Sequence, residues 1–447
     1  MTSLPATLTG LQHALALGRL SQQESLSAQR QRLKNLDLRY HCVVKVMDEA
    51  ADNGGGKAAP VGKPQALAGI GLVHKDIFNT AGRAPGLGHD HGRPVPDLAA
   101  ASAVQQLQKA GASQLASVVM AEYACGATGD NPHFVRCINP LNPAAVVGGS
   151  SSGSAVAVAS EIAYGALGTD TAGSVRIPAA TCGLLGLKTT HGLISQDGVH
   201  PLAPSLDSVG LLARSAADAR QLLEALTLAG SARPALTEPR LKAWIPETGL
   251  HDSVAAALTA LADDCGVTQH ISQLAEHRQL TALSEIVLHH EAATTHQSGL
   301  LNNTLSASVQ AVALPGLVMP LDWYQAAVRD RGPRARAFFN AHLKDHDILM
   351  LPALPQPVPD WSAVTPGSPE FDVKQLLSLH SFMGWVNYLG FPSLVMPIAS
   401  DARGLPICAQ FIARPFEERT LLAFADGLEI KRFGISGITR HFSHLQS

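Results

Sequence analysis

Apolar residues recur at helical spacing near the N-terminus, at Leu11, Leu15, Leu20, Leu26 and Leu33, which predicts one or two helices between Leu8 and Leu36. The period then changes. Residues 40–47 read as a strand. Residues 67–78, LAGIGLVHKDIF, read as a buried strand that ends at the charged pair Lys75-Asp76. A Gly/Ala/Pro-rich loop covers 50–63, and a longer Gly/Pro/His loop covers 80–96. Asp97 is placed to cap a helix running to about Lys109. Residues 115–120 give another short buried strand. Residues 154–164 are small and apolar almost throughout, the pattern of a helix buried on most sides.

The second half keeps alternating. Helices are expected over 215–228, 254–262, 279–296, 323–343 (with a kink at Pro333), 373–389 and 417–430. Strands are expected over 241–244, 347–351, 394–398 and 407–412. Helices alternating with strands imply an α/β architecture around a mixed or mostly parallel sheet. Strand order does not follow from the pattern, and no internal repeat is found. A chain of 447 residues exceeds what one small core supports, so two subdomains or one large α/β domain are the starting expectations.

Composition narrows the function classes. Hydrophobic residues make up 46% and charged residues 15%, with a net charge of −3, so a sizeable core is expected. A partner such as nucleic acid or an anionic membrane has no electrostatic footprint here. No apolar run is long enough for a membrane span. The six cysteines are scattered, with no C-x-x-C pair, and read as free thiols in a reducing compartment. A cytoplasmic location is the default expectation.

The most informative stretch is 147–190. It holds two Gly/Ser-rich clusters, Gly148 to Ser154 and Gly168 to Ser174, on either side of the buried helix, and Arg176 follows. Small residues admit unusual backbone conformations and let backbone N–H groups approach a ligand. Ser174, preceded by small residues, fits a nucleophile on a tight turn whose own N–H groups form an oxyanion hole. The plainer reading is a helix N-cap serine. Lys75, ending an apolar run, is either a lysine whose stem snorkels to solvent or a buried base of lowered pKa. A Ser–His–Asp triad using His74, His89, His91, His133, His191 or His200 is disfavoured. The clusters His89-Asp90-His91 and His289-His290-Glu291 with His296 lack the H-E-x-x-H spacing and are read as surface or structural, so no metal ligand and no cofactor is expected. The glycine runs at 148–153 and 54–56 lack the Gly-Lys-Ser/Thr ending of a phosphate loop.

The motifs GGSSSG and GTDTAGSVRIP, with Ser150 and Ser174 24 residues apart, resemble the amidase signature family of serine hydrolases. VHKDIF resembles the strand that delivers that family's lysine. Weaker matches follow in order, from EYACGATGDNPHF to GFPSLVMPI and GLPICAQFIARPFEERTLL. The resemblance implies a single domain over 1–447 with a central twisted mixed sheet surrounded by helices. Its parts would be N-terminal helices to 36, a catalytic core over about 60–215, a variable helical region over about 240–345 and a sheet-completing segment over about 346–432. It also implies the roles. Ser174 resembles the nucleophile. Ser150 resembles the bridging serine after a cis Gly149–Ser150 peptide. Lys75 resembles the base. The N–H groups of Thr171, Ala172, Gly173 and Ser174 resemble the oxyanion hole, and Asp170, Arg176 and Ser151 resemble supports. Ser152 and Ala172 stand where many members have glycine, and His74 is read as an outward-facing strand residue.

The implied reaction is hydrolysis of a carboxamide, or a related ester, on a small-molecule substrate, by a soluble chain that a homodimer would suit. The alternative is a glutamine-hydrolysing component of an amidotransferase complex. A catalytically silent scaffold is opposed by the intact Lys75, Ser150 and Ser174. Tyr123, Phe134, Met383 and Trp385 fall in segments suited to line a pocket but read first as core.

Overall fold

The computed structural model describes residues 4–47, 65–227, 231 and 233–433. The loop expected at 50–63 lies outside the described residues. Eleven strands form one sheet. In chain order they are β1 (Val43–Val46), β2 (Gly71–Lys75), β3 (Ser113–Val118), β4 (Ala166–Asp170), β5 (Leu185–Lys188), β6 (Ser208–Ala213), β7 (Leu241–Trp244), β8 (Gln269–Ile271), β9 (Ile348–Pro352), β10 (Ser393–Ser400) and β11 (Pro406–Ala413). Their spatial order is β1-β3-β2-β4-β6-β5-β10-β11-β9-β7-β8. Parallel pairs (β2 with β3 and β4, β7 with β8 and β9) join antiparallel ones, so the sheet is mixed. Helices cover it, and β2, β4, β5, β6, β9 and β11 are buried along their whole length. That burial explains their near-continuous apolar sequences.

One feature of this topology positions the site. The strands β3, β2 and β4 are adjacent and parallel, with Lys75 opposite Val118 and His74 opposite Leu167. Parallel pairing gathers their carboxyl ends at one edge of the sheet, where ligands bind in open α/β sheets. Lys75 ends β2, Asp170 ends β4, and the segment after β3 runs on to Glu122. The helix Ser152–Ala159 is buried at every residue. Ser154 Oγ donates to the Leu167 carbonyl at 3.0 Å, tying this helix to β4.

Several expectations need correction. The N-terminal helical stretch is two helices, Leu8–Ala16 and Gln22–Tyr40, the second begun by a capping box between Ser21 and Glu24. Asp97 caps nothing: it has φ +65°, and the helix is Ser102–Lys109, with no side-chain cap. The helix expected over 373–389 is two short ones, Val373–Ser378 and Gly384–Leu389. Pro333 lies inside the helix Leu321–Phe338, which ends in a π-turn at Phe339–Leu343. The strands β4, β5, β6 and β8 and the helix Ala307–Val318 lie outside the expected elements. Cys42, Cys125, Cys137, Cys182 and Cys408 are buried free thiols, and among the described residues no helix is long and apolar enough to cross a membrane.

Candidate active site

The lysine at the end of β2 is fully buried. Its Nζ lies 2.7 Å from Ser150 Oγ and 2.8 Å from Thr169 Oγ1. Burial pulls its pKa down to about 7, against the upward influence of Asp207, Asp170 and Cys125. Half of such side chains are neutral at that pH, so Nζ can accept a proton from the Ser150 hydroxyl. The snorkelling reading fails, because the side chain reaches no solvent.

Ser150 follows a cis peptide from Gly149. The turn around it is tightly enclosed. A Cβ on Gly149 would lie 2.6 Å from the Gly126 carbonyl oxygen and 2.7 Å from the Gly129 nitrogen. The Ser150 carbonyl accepts from Ala121 N–H at 3.1 Å, which joins the turn to the segment after β3. Ser151 Oγ donates to the Thr169 carbonyl at 3.4 Å.

The second cluster turns between β4 and the helix Arg176–Thr181. Asp170 organises it. Its carboxylate accepts from the N–H groups of Gly173 (2.8 Å), Val175 (3.1 Å) and Arg176 (3.3 Å), so it is Asp170, not Ser174, that caps this helix. The Arg176 guanidinium pairs with the same carboxylate at 3.0 and 2.8 Å, both side chains being fully buried. Burial alone would raise the Asp170 pKa, but the charge and hydrogen bonds of Arg176 outweigh it and hold the carboxyl well below its usual range. The other donors of Arg176 reach Gln410 Oε1 and Asn387 Oδ1, each at 2.6 Å. Asn387 in turn donates to the Asp170 carbonyl at 2.7 Å. This is a buried ion pair whose remaining hydrogen-bonding groups are met.

Ser174 keeps 8% exposure, and among the described residues its hydroxyl has no hydrogen-bond partner. The Ser150 to Ser174 half of the expected relay is therefore open in this geometry. Catalytic hydrogen bonds commonly close only around substrate. The N–H groups of Thr171, Ala172 and Ser174 have no partner among the described residues, as oxyanion donors require. Gly173 is a correction: its N–H is committed to Asp170 and is not free for an oxyanion. Glycine is needed there for another reason. Its φ is +112°, and a Cβ would come within 2.7 Å of the Met383 side chain. Gly173→Ala is therefore expected to displace the turn that carries Ser174 and lower kcat by about 100-fold, with unchanged kcat as the contrary result.

A family model described as Amidase matches residues 24–240 and 239–422. The chain belongs to the amidase family. Its relatives include a glutamyl-tRNA(Gln) amidotransferase component from Bordetella avium, 30% identical over 94% of this chain and 94% of that one. The corresponding component from Chromohalobacter salexigens is 39% identical over 50% of this chain, an alignment that spans 46% of that relative's length. Among solved structures, one described as the crystal structure of amidase superposes with a TM-score of 0.81 at 30% identity, covering 95% of this chain and 99% of that one.

Within this amidase-family fold the remaining histidines take unexpected places. His74 does not face outward. It is buried in β2, its Nδ1 lies 3.2 Å from Gln114 Oε1, and burial lowers its pKa to about 4. The run Gly149-Ser150-Ser151-Ser152-Gly153 spells G-x-S-x-G around Ser151, the sequence pattern of a nucleophile elbow. The Ser151 hydroxyl is nonetheless buried against a backbone carbonyl, so it supports no serine–histidine triad. His91 and His289 are hydrogen-bonded to backbone carbonyls. Met383 and Trp385 are core, while Tyr123 and Phe134 are half-buried.

Thr169, Asp207, Asn387, Gln410 and His380 were not anticipated. Asp207 Oδ1 accepts from Thr171 Oγ1 at 2.5 Å. Exposed His380 donates from Nδ1 to the Ala172 carbonyl at 3.1 Å. His380 and Met383 reach the turn of residues 171–174 because the chain breaks between the two short helices of 373–389. Thr169 was the legible one, since it lies inside the GTD motif. A separate cleft of about 1010 Å³, lined in part by Trp244, Pro357, Lys374 and Phe382, contains none of the catalytic candidates.

Proposed function

We propose that this chain hydrolyses a carboxamide C–N bond through an acyl-enzyme on Ser174, with Lys75 as base and Ser150 as proton bridge. The observation that carries the reading is the buried Lys75 Nζ, 2.7 Å from Ser150 Oγ, with its pKa lowered to about 7 by burial. Neutral Lys75 accepts the Ser150 proton as Ser150 accepts that of Ser174. Ser174 Oγ attacks the amide carbon, and the resulting oxyanion lies against the N–H groups of Thr171, Ala172 and Ser174. Ser150 then protonates the leaving nitrogen and is reprotonated by Lys75, because an amine does not leave as an anion near neutral pH. Ammonia or an amine departs. Water, deprotonated along the same route, releases the carboxylic acid and restores Ser174. Asp170 and Arg176 hold the turn in place, and the chain needs no cofactor for these steps.

The test is a panel of aliphatic, aryl and peptide amides with Ser174→Ala as control. Absence of turnover on every amide by the isolated chain would contradict the reading. The pH dependence follows from Lys75. Protonated lysine cannot accept the proton, so kcat/KM should rise with pH through an apparent pKa near 7 and level off above it. A profile flat from pH 5.5 to 8.5 would contradict its role as base.

A second reading draws on the relatives, several of which are named as components of an amidotransferase. In it the chain releases ammonia from glutamine as one member of an assembly. Stable co-purification with partner chains, and glutaminase activity that depends on them, would select this reading over the first.

A further inference from the structure

Three loops at the carboxyl edge of the sheet bring together a donor set that the proposed amide chemistry does not use. His89 lies in the loop between the short strands Arg83–Ala84 and Arg93–Pro94. Glu122 follows β3, and His133 lies between Gly129 and Asn139. His89 Nδ1 is 3.2 Å and His133 Nε2 is 3.3 Å from the same oxygen, Glu122 Oε1. The three donor atoms all lie within 4.8 Å of one another. We propose that His89, Glu122 and His133 bind one divalent transition-metal ion, with zinc the best match to the donor set.

The geometry supports this assignment. Two imidazoles and one carboxylate are a recurrent zinc donor set. Four donors held about 2.0–2.1 Å from zinc at tetrahedral angles are about 3.3–3.4 Å from each other. The two His-to-Glu separations, 3.2 and 3.3 Å, are within about 0.2 Å of that spacing. They are long, by contrast, for charge-assisted hydrogen bonds, which usually span about 2.7–2.9 Å. The two histidine side chains are 42% and 32% exposed, so their rings can close on an ion, and the site opens to solvent on their side. The Glu122 side chain is only 1% exposed.

Its surroundings hold this carboxylate in place. Its other oxygen, Oε2, accepts from Ser306 N–H at 3.1 Å, an outer contact of the kind that orients metal ligands. Asn131 ties the three loops before any ion arrives: its Nδ2 donates to the carbonyls of Gly88 and Met120, the neighbours of His89 and Ala121. Ala121 N–H in turn holds the Ser150 carbonyl. An ion here would pin the segment on which the Ser150 turn rests.

The test uses the full-length protein stripped by a chelator and titrated with zinc chloride in a calorimeter, with cobalt(II) chloride as a spectroscopic probe. The expected result is one zinc per chain, a raised melting temperature and the visible absorption of tetrahedral cobalt. The doubly substituted His89→Ala/His133→Ala protein should bind zinc at least about 100-fold more weakly and lose the cobalt bands. Its metal-free melting temperature should fall modestly, because the buried Glu122 Oε1 loses both histidine contacts, while the chain remains folded. If that variant does not fold, His133→Asn replaces it, with the same expected loss of the cobalt bands. No stoichiometric binding by the parent protein, or unaltered binding by the folded variant, would overturn the proposal. Each outcome is independent of amidase activity.

Discussion

Ser174→Ala is expected to lower turnover by at least about 10⁴-fold and to leave the melting temperature within about a degree of the parent. The first half follows from the proposed chemistry. Without Oγ there is no covalent intermediate, and the oxyanion donors alone retain only a residual effect. The second half follows from the structure. Among the described residues Ser174 Oγ is not hydrogen-bonded, and the adjacent helix is capped by Asp170, so deletion of this oxygen leaves no buried group unsatisfied. A loss of activity that came with a large fall in stability would mean that the serine is structural. Kinetics on any amide found in the panel, together with a thermal melt, reads both.

Arg176→Ala should be the most damaging single change to stability, costing about 3–5 kcal/mol. Its guanidinium is fully buried, and it is the charge partner of Asp170. Removing it leaves the buried Asp170 carboxylate without its ion-pair partner and takes a donor from Asn387 Oδ1 and from Gln410 Oε1, the latter keeping only Ser393 Oγ. The substitution also loosens the turn that carries Ser174, so kcat should fall along with stability. Arg176→Lys should recover only part of either, because one ammonium cannot span Asp170, Asn387 and Gln410 together. Denaturant unfolding measures the first effect, and an Arg176→Ala protein as stable as the parent would contradict it.

Much of this site was legible because the chemistry lies in short motifs. Lys75 stood out as a charge ending an apolar run. The clusters around Ser150 and Ser174 stood out by their glycines and their spacing. The α/β class followed from alternating periods, as did most of the elements. What was not legible depended on contacts across the chain. Asn387 and Gln410 are 211 and 234 residues from Arg176 in sequence, and nothing local marks them as its partners. The break between Val373–Ser378 and Gly384–Leu389 is similar: the apolar spacing is continuous, and Met383, at the break, packs against Gly173 more than 200 residues away in sequence. Asp97 looked like a cap by residue type, but the neighbouring backbone is held elsewhere, with Ala101 N–H on the Asn79 carbonyl and Ser102 N–H on the Asp197 carbonyl. His74 read as outward because alternation along a strand says nothing when both faces of the sheet are covered.

The central claim is that Lys75 activates Ser174 through Ser150, and it can be tested before the natural substrate is known. The protein is mixed with an aryl sulfonyl fluoride, and the modified residue and its rate of modification are read by peptide mass spectrometry. The account predicts a single adduct on Ser174. Lys75→Ala and Ser150→Ala should each slow its formation by about 10²–10⁴-fold, the range of general base catalysis. An adduct on another serine, or an unchanged rate at Ser174 in the Lys75→Ala protein, would contradict it.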